Sequence, residues 1–318
     1  PLVNNTETLR FKNIDMWFSP RVQADLSKLY VAINEIRRGK YKNFFMMCFS
    51  ATLGKTSYTD PRIAVPVRIN VKRYPLGSRG RENAQKLIDR VDNVNVYDMF
   101  EVICRNNLKR ISLLEGIDGN VWTKIISKDA RKITESTNSS KLLANESVDM
   151  ILTSPPYASA QKYIRSSSLS LYWLRMLNGM TLVDLDSQNI GRENYNKSSV
   201  KIQPTGIGDA DEVIEKIFNQ YPLRGRIVCN YLLEMQKALD ESYRVLKKGR
   251  YMIIIIGNNN VCGHQFNTKH YIAEYLESKG MQLELQLIDD IKSYGLMTKR
   301  NKTADIITRE WILVFKKL

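Results

Sequence analysis

Two textures of hydrophobic spacing divide the chain. Through about Gly119, apolar residues recur at intervals of three and four, as in Leu26, Leu29, Tyr30, Ile33 and Ile36, which predicts amphipathic helices. Asp25 or Ser27 offers that helix a cap, and Gly39 offers it a stop. From Val121 onward, short apolar runs alternate with helical spacing. Residues 124–127 and 147–153 read as strands, and 231–245 as a long amphipathic helix. Lys247, Lys248 and Gly249 would end that helix, with cations at its negative pole and a glycine free to turn left-handed. Residues 250–256 are almost wholly apolar, which predicts a strand buried on both faces. Residues 270–279 read as a helix stopped by Gly280, and 281–288 and 310–315 as the last strands. The alternation predicts an α/β fold with a doubly wound sheet over 121–318, preceded by a mainly helical region over 1–120. Residues 159–222, rich in Ser, Asn, Gly and charge, are too long for an ordinary connection and predict an insertion near a site.

Composition narrows the picture. At 43% hydrophobic and 25% charged, the 318 residues match an ordinary globular chain and exclude a disordered one. The longest apolar run, 251–256, is strand-sized, and the first residues lack the basic region and apolar core of a secretion signal. An intracellular, cytoplasmic protein with no membrane partner is the expectation. The formal charge of +15 attracts polyanions and drives salt-dependent binding to phosphate backbones. Its basic residues are spread through the chain, as a folded groove requires, with clusters at Arg37, Arg38 and Lys40, at Lys72 and Arg73, and at Arg79 and Arg81. The four cysteines form no C-x-x-C pair and the two histidines, His264 and His270, have no cysteine beside them, so neither a metal site nor a disulfide framework is expected.

The chemistry concentrates in residues 149–157, Asp-Met-Ile-Leu-Thr-Ser-Pro-Pro-Tyr. An apolar strand runs straight into Pro155 and Pro156, which stop its ladder and fix an extended turn. Thr153 and Ser154 therefore lie at the carboxyl edge of the sheet, where open α/β sheets bind ligands. In that setting the motif resembles the Ser-Pro-Pro-Tyr signature of the amino-group DNA methyltransferases, in the cytosine-N4 subgroup. The resemblance runs from about Trp17 to the C-terminus and includes Lys128-Asp129-Ala130-Arg131, the stretch from Arg244 to Gly249, and Arg309-Glu310 before the last strand.

The resemblance implies a Rossmann-like sheet that binds S-adenosylmethionine and methylates the N4 amino group of a cytosine flipped out of double-stranded DNA. That nitrogen is a poor nucleophile because its lone pair is delocalised into the ring. By the resemblance, the Ser154 hydroxyl and the Pro155 carbonyl accept its N–H groups and localise the lone pair, with Pro156 stiffening the turn. Tyr157 is expected to stack on the extruded base. Asp129 and Ala130 are expected at the cofactor's adenine and Thr153 at its methionine end. Lys162 and Arg165 are expected on the backbone of the flipped nucleotide. Residues 1–120 would be the target-recognition region, with Arg37, Arg38, Lys40, Lys72, Arg73, Arg79 and Arg81 on phosphates or base edges. Methylation at cytosine carbon 5 uses a cysteine after a proline, and no cysteine here follows one.

One part of the family pattern is missing. The glycine-rich Phe-x-Gly-x-Gly cofactor loop is absent, since Thr205-Gly206-Ile207-Gly208 has neither the preceding strand nor the phenylalanine. In relatives of this arrangement the loop precedes an Asp-x-Asn-Pro-Leu-like segment, and this chain begins at Pro1-Leu2. The sheet is therefore expected to be incomplete in this chain. A second subunit carrying the loop, a removed or disordered segment, and a degenerate copy all stay open. A cognate restriction endonuclease is a further partner implied by the family, in a bacterial or phage setting. Three competing readings stand beside the first. Residues 49–56, Phe-Ser-Ala-Thr-Leu-Gly-Lys-Thr, end like a phosphate-binding loop but lack its first glycine. Adenine-N6 enzymes usually carry Asp or Asn where Ser154 stands. A non-catalytic DNA-binding subunit could retain the motif.

Overall fold

The computed structural model describes residues 10–63, 65–114, 116, 123–158, 162–193, 195, 200–292 and 307–318. The chain divides into two units, Pro1–Val121 with Tyr163–Leu182, and Trp122–Lys162 with Val183–Leu318. The stretch 159–222, expected as a single insertion, is thus shared between them.

The first unit is helical among its described residues: α1 (Ile14–Trp17), α2 (Pro20–Asn34), α3 (Gly39–Thr56), α4 (Arg79–Asp92), α5 (Val96–Ser112), α6 (Tyr163–Ser166) and α7 (Ser168–Trp173). α2 begins earlier than its apolar spacing predicts. Ser19 accepts the Val22 N–H at 3.4 Å and Pro20 occupies the first helical position, two start signals that act together. Ser27 lies inside the helix, with its hydroxyl donating back to Gln23 at 2.8 Å. Gly39 opens α3 rather than ending α2. α3 also absorbs the loop-like residues 49–56 into regular helix, whose N–H groups bond internally and cannot cradle a phosphate. That removes the support for nucleotide hydrolysis. Phe18, Leu26, Phe49, Leu53 and Trp173 form the core, with Phe18 and Phe49 packed edge-on to the Trp173 indole.

The second unit contains β1 (Val148–Thr153), α8 (Leu182–Ser187), α9 (Gly208–Gln220), α10 (Pro222–Val245), β2 (Leu246–Ile256), β3 (Asn259–Val261), β4 (His264–Phe266), α11 (Thr268–Ser278), β5 (Met281–Asp290) and β6 (Arg309–Lys317). The main sheet has the order β1-β2-β6-β5, with β1 parallel to β2 and β6 antiparallel to both its neighbours. β3 and β4 pair as a separate hairpin. α10 starts at Pro222, ahead of the expected position, and passes directly into β2. Lys247, Lys248 and Gly249 are therefore not a helix stop. They sit where the register slips from Val148↔Leu246 to Met150↔Tyr251, and Gly249 takes the left-handed φ of 70° that the slip requires. The end of α10 is capped instead by the buried Lys317, whose ammonium donates to the oxygens of Tyr243 at 2.9 Å and Leu246 at 2.7 Å.

Among the described residues the sheet has one covered face. Met252, Ile254, Ile256, Leu313 and Phe315 are buried in a common core with α9, α10 and α11. On the opposite face Met150 is 59% and Leu152 62% exposed, and Leu285 and Leu287 are each 47% exposed. The strand expected to be buried on both faces is therefore buried on one. An apolar run reports a capacity for burial, and the cover must come from elsewhere. Residues 124–127 do not form the expected strand, and Ile125 is 78% exposed. A strand needs a ladder partner, and β1 pairs only with β2 among the described residues.

All four cysteines are buried, and none is in a disulfide. No helix of the described residues is long and apolar enough to cross a membrane, and no group of His, Cys, Asp and Glu among them could hold a metal ion. The fold is an α/β sheet with helices and a helical N-terminal region.

Candidate active site

β1 delivers its last residue, Thr153, half-buried to the carboxyl edge of the sheet, and the next residue, Ser154, is exposed there. β2 runs parallel and ends at the same edge, while β6 begins there. Pro155 and Pro156 are half-buried, and Gly191, with a left-handed φ of 79°, packs close to Pro156. Neither the Ser154 hydroxyl nor the Pro155 oxygen has a hydrogen-bond partner among the described residues. Two adjacent acceptors are thus presented on a rigid turn.

What holds that turn lies just behind it. Asn259 donates its side-chain N–H to the Ala158 oxygen at 2.5 Å, and the Tyr157 hydroxyl donates to the Glu310 carboxylate. Tyr157 is only 7% exposed and its ring packs against Gly257. A side chain at Gly257 would come within 2.8 Å of Ile307 and 3.2 Å of Tyr157, so only glycine fits. The expected stacking platform is therefore part of the core in this arrangement. Tyr157 anchors the turn and offers no open face.

The second predicted group lies on a tight turn after residue 127. Asp129 accepts the Arg131 backbone N–H at 2.9 Å and the Arg131 guanidinium at 2.9 Å on each oxygen. Burial opposes its charge, but the Arg131 hydrogen bonds outweigh burial and hold the carboxyl below its ordinary range. Arg131 also donates to the Gln188 oxygen at 2.8 Å and approaches Glu234 at 3.5 Å. Glu234 pairs with Arg192 at 2.6 Å, and the Tyr195 ring lies between Arg192 and Arg226, 4.7 and 5.1 Å from them. Ala130 is exposed beside Asp129. The Asp129 side chain is 44% exposed and retains accepting capacity.

The predicted DNA contacts are dispersed. Arg37 and Arg38 lie between α2 and α3, Lys40 in the first turn of α3, Lys72 and Arg73 in a 3-10 turn, and Arg79 and Arg81 in the first turn of α4. Arg81 is half-buried and the other six are exposed. Arg165 is exposed on α6 in the same unit, whereas Lys162 belongs to the second unit and pairs with Glu193 at 3.7 Å. Sequence reasoning assigned no role to Glu310, Asn259, Arg131 or Glu234. Two signals were available: the Arg309-Glu310 pair heading the last strand and the asparagine triplet after β2.

No family model matches the chain. Its sequence is 24% identical over 324 aligned residues to the Type II methyltransferase M.MvaI of Kocuria varians, covering 96% of this chain and 67% of that protein. A Thermus thermophilus protein assigned as a DNA modification methylase aligns over 62% of this chain and 55% of its own, with 17% identity and a TM-score of 0.30. Its form complexed with S-adenosyl-L-methionine aligns over 55% and 49%, with a TM-score of 0.28. The chain thus spans about two thirds of the curated relative and about half of the solved structures. The similarity to that methyltransferase runs over nearly the whole of this chain.

Proposed function

We propose that this chain is the catalytic portion of a DNA methyltransferase that methylates the N4 amino group of a cytosine extruded from double-stranded DNA. The observation that carries the reading is the pair of adjacent acceptors, the hydroxyl of the exposed Ser154 and the carbonyl of the half-buried Pro155, at the carboxyl edge of β1. They accept the two amino N–H groups and turn the nitrogen's lone pair outward. S-adenosylmethionine, when bound, supplies an electrophilic methyl group. Asp129, Ala130 and Thr153 provide one wall for it, while Tyr157, Pro156 and Asn259 keep the acceptors from drifting. The lone-pair mechanism needs no covalent intermediate and none of the buried cysteines.

The remaining wall belongs to a second segment or subunit carrying the glycine-rich loop. The edge of β1 that the described residues leave unpaired and the exposed Met150 and Leu152 on that strand support this, because parallel strands are ordinarily covered on both sides. Unit 1 is the DNA-recognition part, with Arg37, Arg38, Lys40, Lys72, Arg73, Arg79, Arg81 and Arg165 among its contacts. Lys162 would reach the nucleotide backbone only by leaving Glu193. A cognate endonuclease fits a modification enzyme of this kind.

Ser154→Ala tests the reading in an assembly that includes the complementing half. Methyl transfer to DNA is expected to fall about 100-fold or more, the usual cost of removing one preorganised transition-state partner. Full-speed transfer would overturn it. Mass analysis of the digested DNA should show N4-methylcytosine, and N6-methyladenine in its place would move the chain to the adenine class.

A further inference from the structure

Two turns of the second unit, the one after β1 and the one that carries Asp129, share a third piece of chain. Gly191 sits against the first: a methyl group added there would lie 3.7 Å from the Pro156 ring and 3.7 Å from the Tyr157 backbone oxygen. Three residues earlier, the Gln188 oxygen accepts the Arg131 guanidinium at 2.8 Å, and Arg131 is the residue that grips both oxygens of Asp129. Residues 188–192 therefore reach from one turn to the other.

Glu234, on α10, closes the link. Its Oε1 meets Arg192 at 2.6 Å and Arg131 at 3.5 Å, and Arg192 also donates to the Asn189 oxygen at 3.2 Å. With side chains 22%, 17% and 14% exposed, Arg131, Arg192 and Glu234 are only weakly screened by water. Seven residues along, Glu241 faces the same side of α10 and accepts the Ile133 N–H at 2.9 Å, which fixes the far end of the Asp129 turn. The Glu234 Oε2 is buried and has no partner among the described residues. A buried carboxylate with one oxygen idle adds little to stability, so the value of the arrangement lies in where it holds its arginines.

We propose that residues 188–192 are a spacer that fixes the distance between the acceptors at Ser154 and Pro155 and the Asp129 turn. Arg131 and Arg192, joined through Glu234, are its positioning residues. The catalytic part of this role rests on the methyl-transfer reading. In-line transfer tolerates little slack, since a misplacement of about 1 Å costs on the order of 100-fold in rate.

Two measurements test the spacer. In the chain alone, hydrogen exchange is followed by mass spectrometry at residues 129–133 and 153–158. Glu234→Gln keeps the side-chain shape and removes the charge that joins the arginines, so exchange should rise about tenfold in both turns together. Arg131→Met should give the same pattern where Glu234→Gln does not fold. Tyr275→Phe removes a different hydrogen bond to α10, the one to Asp240 at 2.8 Å, and should leave both turns as in the parent. In the complemented assembly, Glu234→Gln should lower kcat about tenfold while KM for DNA stays within about twofold. Arg192→Lys keeps a cation on Glu234 and should retain most of the rate. Arg131→Lys should not, because an ammonium cannot serve Asp129, Gln188 and Glu234 as the planar fork does. Exchange that rises in one turn only, or in neither, would overturn the spacer, as would equal effects of Glu234→Gln and Tyr275→Phe. Coupled exchange beside a parent assembly that transfers no methyl group would uphold the spacer and overturn the methyl-transfer reading instead.

Discussion

Replacing Tyr157 by phenylalanine separates two roles for that residue. The substitution keeps the ring and removes only the hydroxyl that donates to Glu310. If Tyr157 acted by stacking on a base, phenylalanine would serve nearly as well. If it anchors the turn, stability and activity both suffer. A hydrogen bond to a charged group is worth about 1.5–3 kcal/mol. Glu310 is half-buried and its freed carboxylate regains some hydration, which favours the lower end, about 1.5 kcal/mol. For a cooperative unit of this size that is a fall of roughly 3–6 °C in Tm. No cavity term enters because the ring against Gly257 is retained. Urea denaturation of Tyr157→Phe, Glu310→Gln and the double variant gives the coupling, expected at about 1 kcal/mol. Methyl transfer by a complemented assembly should fall with Tyr157→Phe through kcat more than KM, since the acceptors are loosened and the binding surface is kept. A Tyr157→Phe protein that melts with the parent, with additive energies in the double variant, would refute the anchoring role.

Further consequences follow from two other buried groups. Lys317→Met keeps most of the side-chain volume but strips the oxygens of Tyr243 and Leu246 of their donor, and should cost about 2 kcal/mol by chemical denaturation. A neutral result would mean that those carbonyls find other partners. Asp60 accepts the Arg62 guanidinium at 2.6 and 2.8 Å, and these bonds hold its carboxyl below the ordinary value against the opposing effect of burial. Its folded pKa lies below its unfolded one, so its stabilising contribution is complete above about pH 4 and is lost as pH falls through the folded value. Melts between about pH 2 and pH 6 should therefore show a steeper acid loss for the parent than for Asp60→Asn, which should be about 1 kcal/mol less stable at neutral pH. Parallel curves would exclude this pair as a source of acid sensitivity.

The parts of the fold that proved legible were those set by neighbours in sequence. The strand ending at Thr153 and the exposure of Ser154 both follow from an apolar run meeting two prolines. The parts that proved illegible depend on distant residues. Tyr157 reads in the sequence as an open stacking surface, whereas its ring meets Gly257 and its hydroxyl meets Glu310, 153 positions away. The start of α2 was obscured by periodicity, which marks the apolar stripe but not the turn before it, where Ser19 and Pro20 act. Residues 124–127 have a strand's composition without a strand's neighbour. Composition also suggested that β2 would be covered on both sides. Coverage is a property of the assembly, and on one side the described residues do not supply it.

That uncovered side has a bearing on how the protein behaves by itself. Oily side chains laid along a pleated surface, next to backbone amides that the described residues leave unpaired, are as inviting to another copy of the same polypeptide as to a proper mate. Made alone at high concentration, the chain would tend to clump along this seam. A complementing half seated on the seam, as proposed, would therefore act as a solubiliser too.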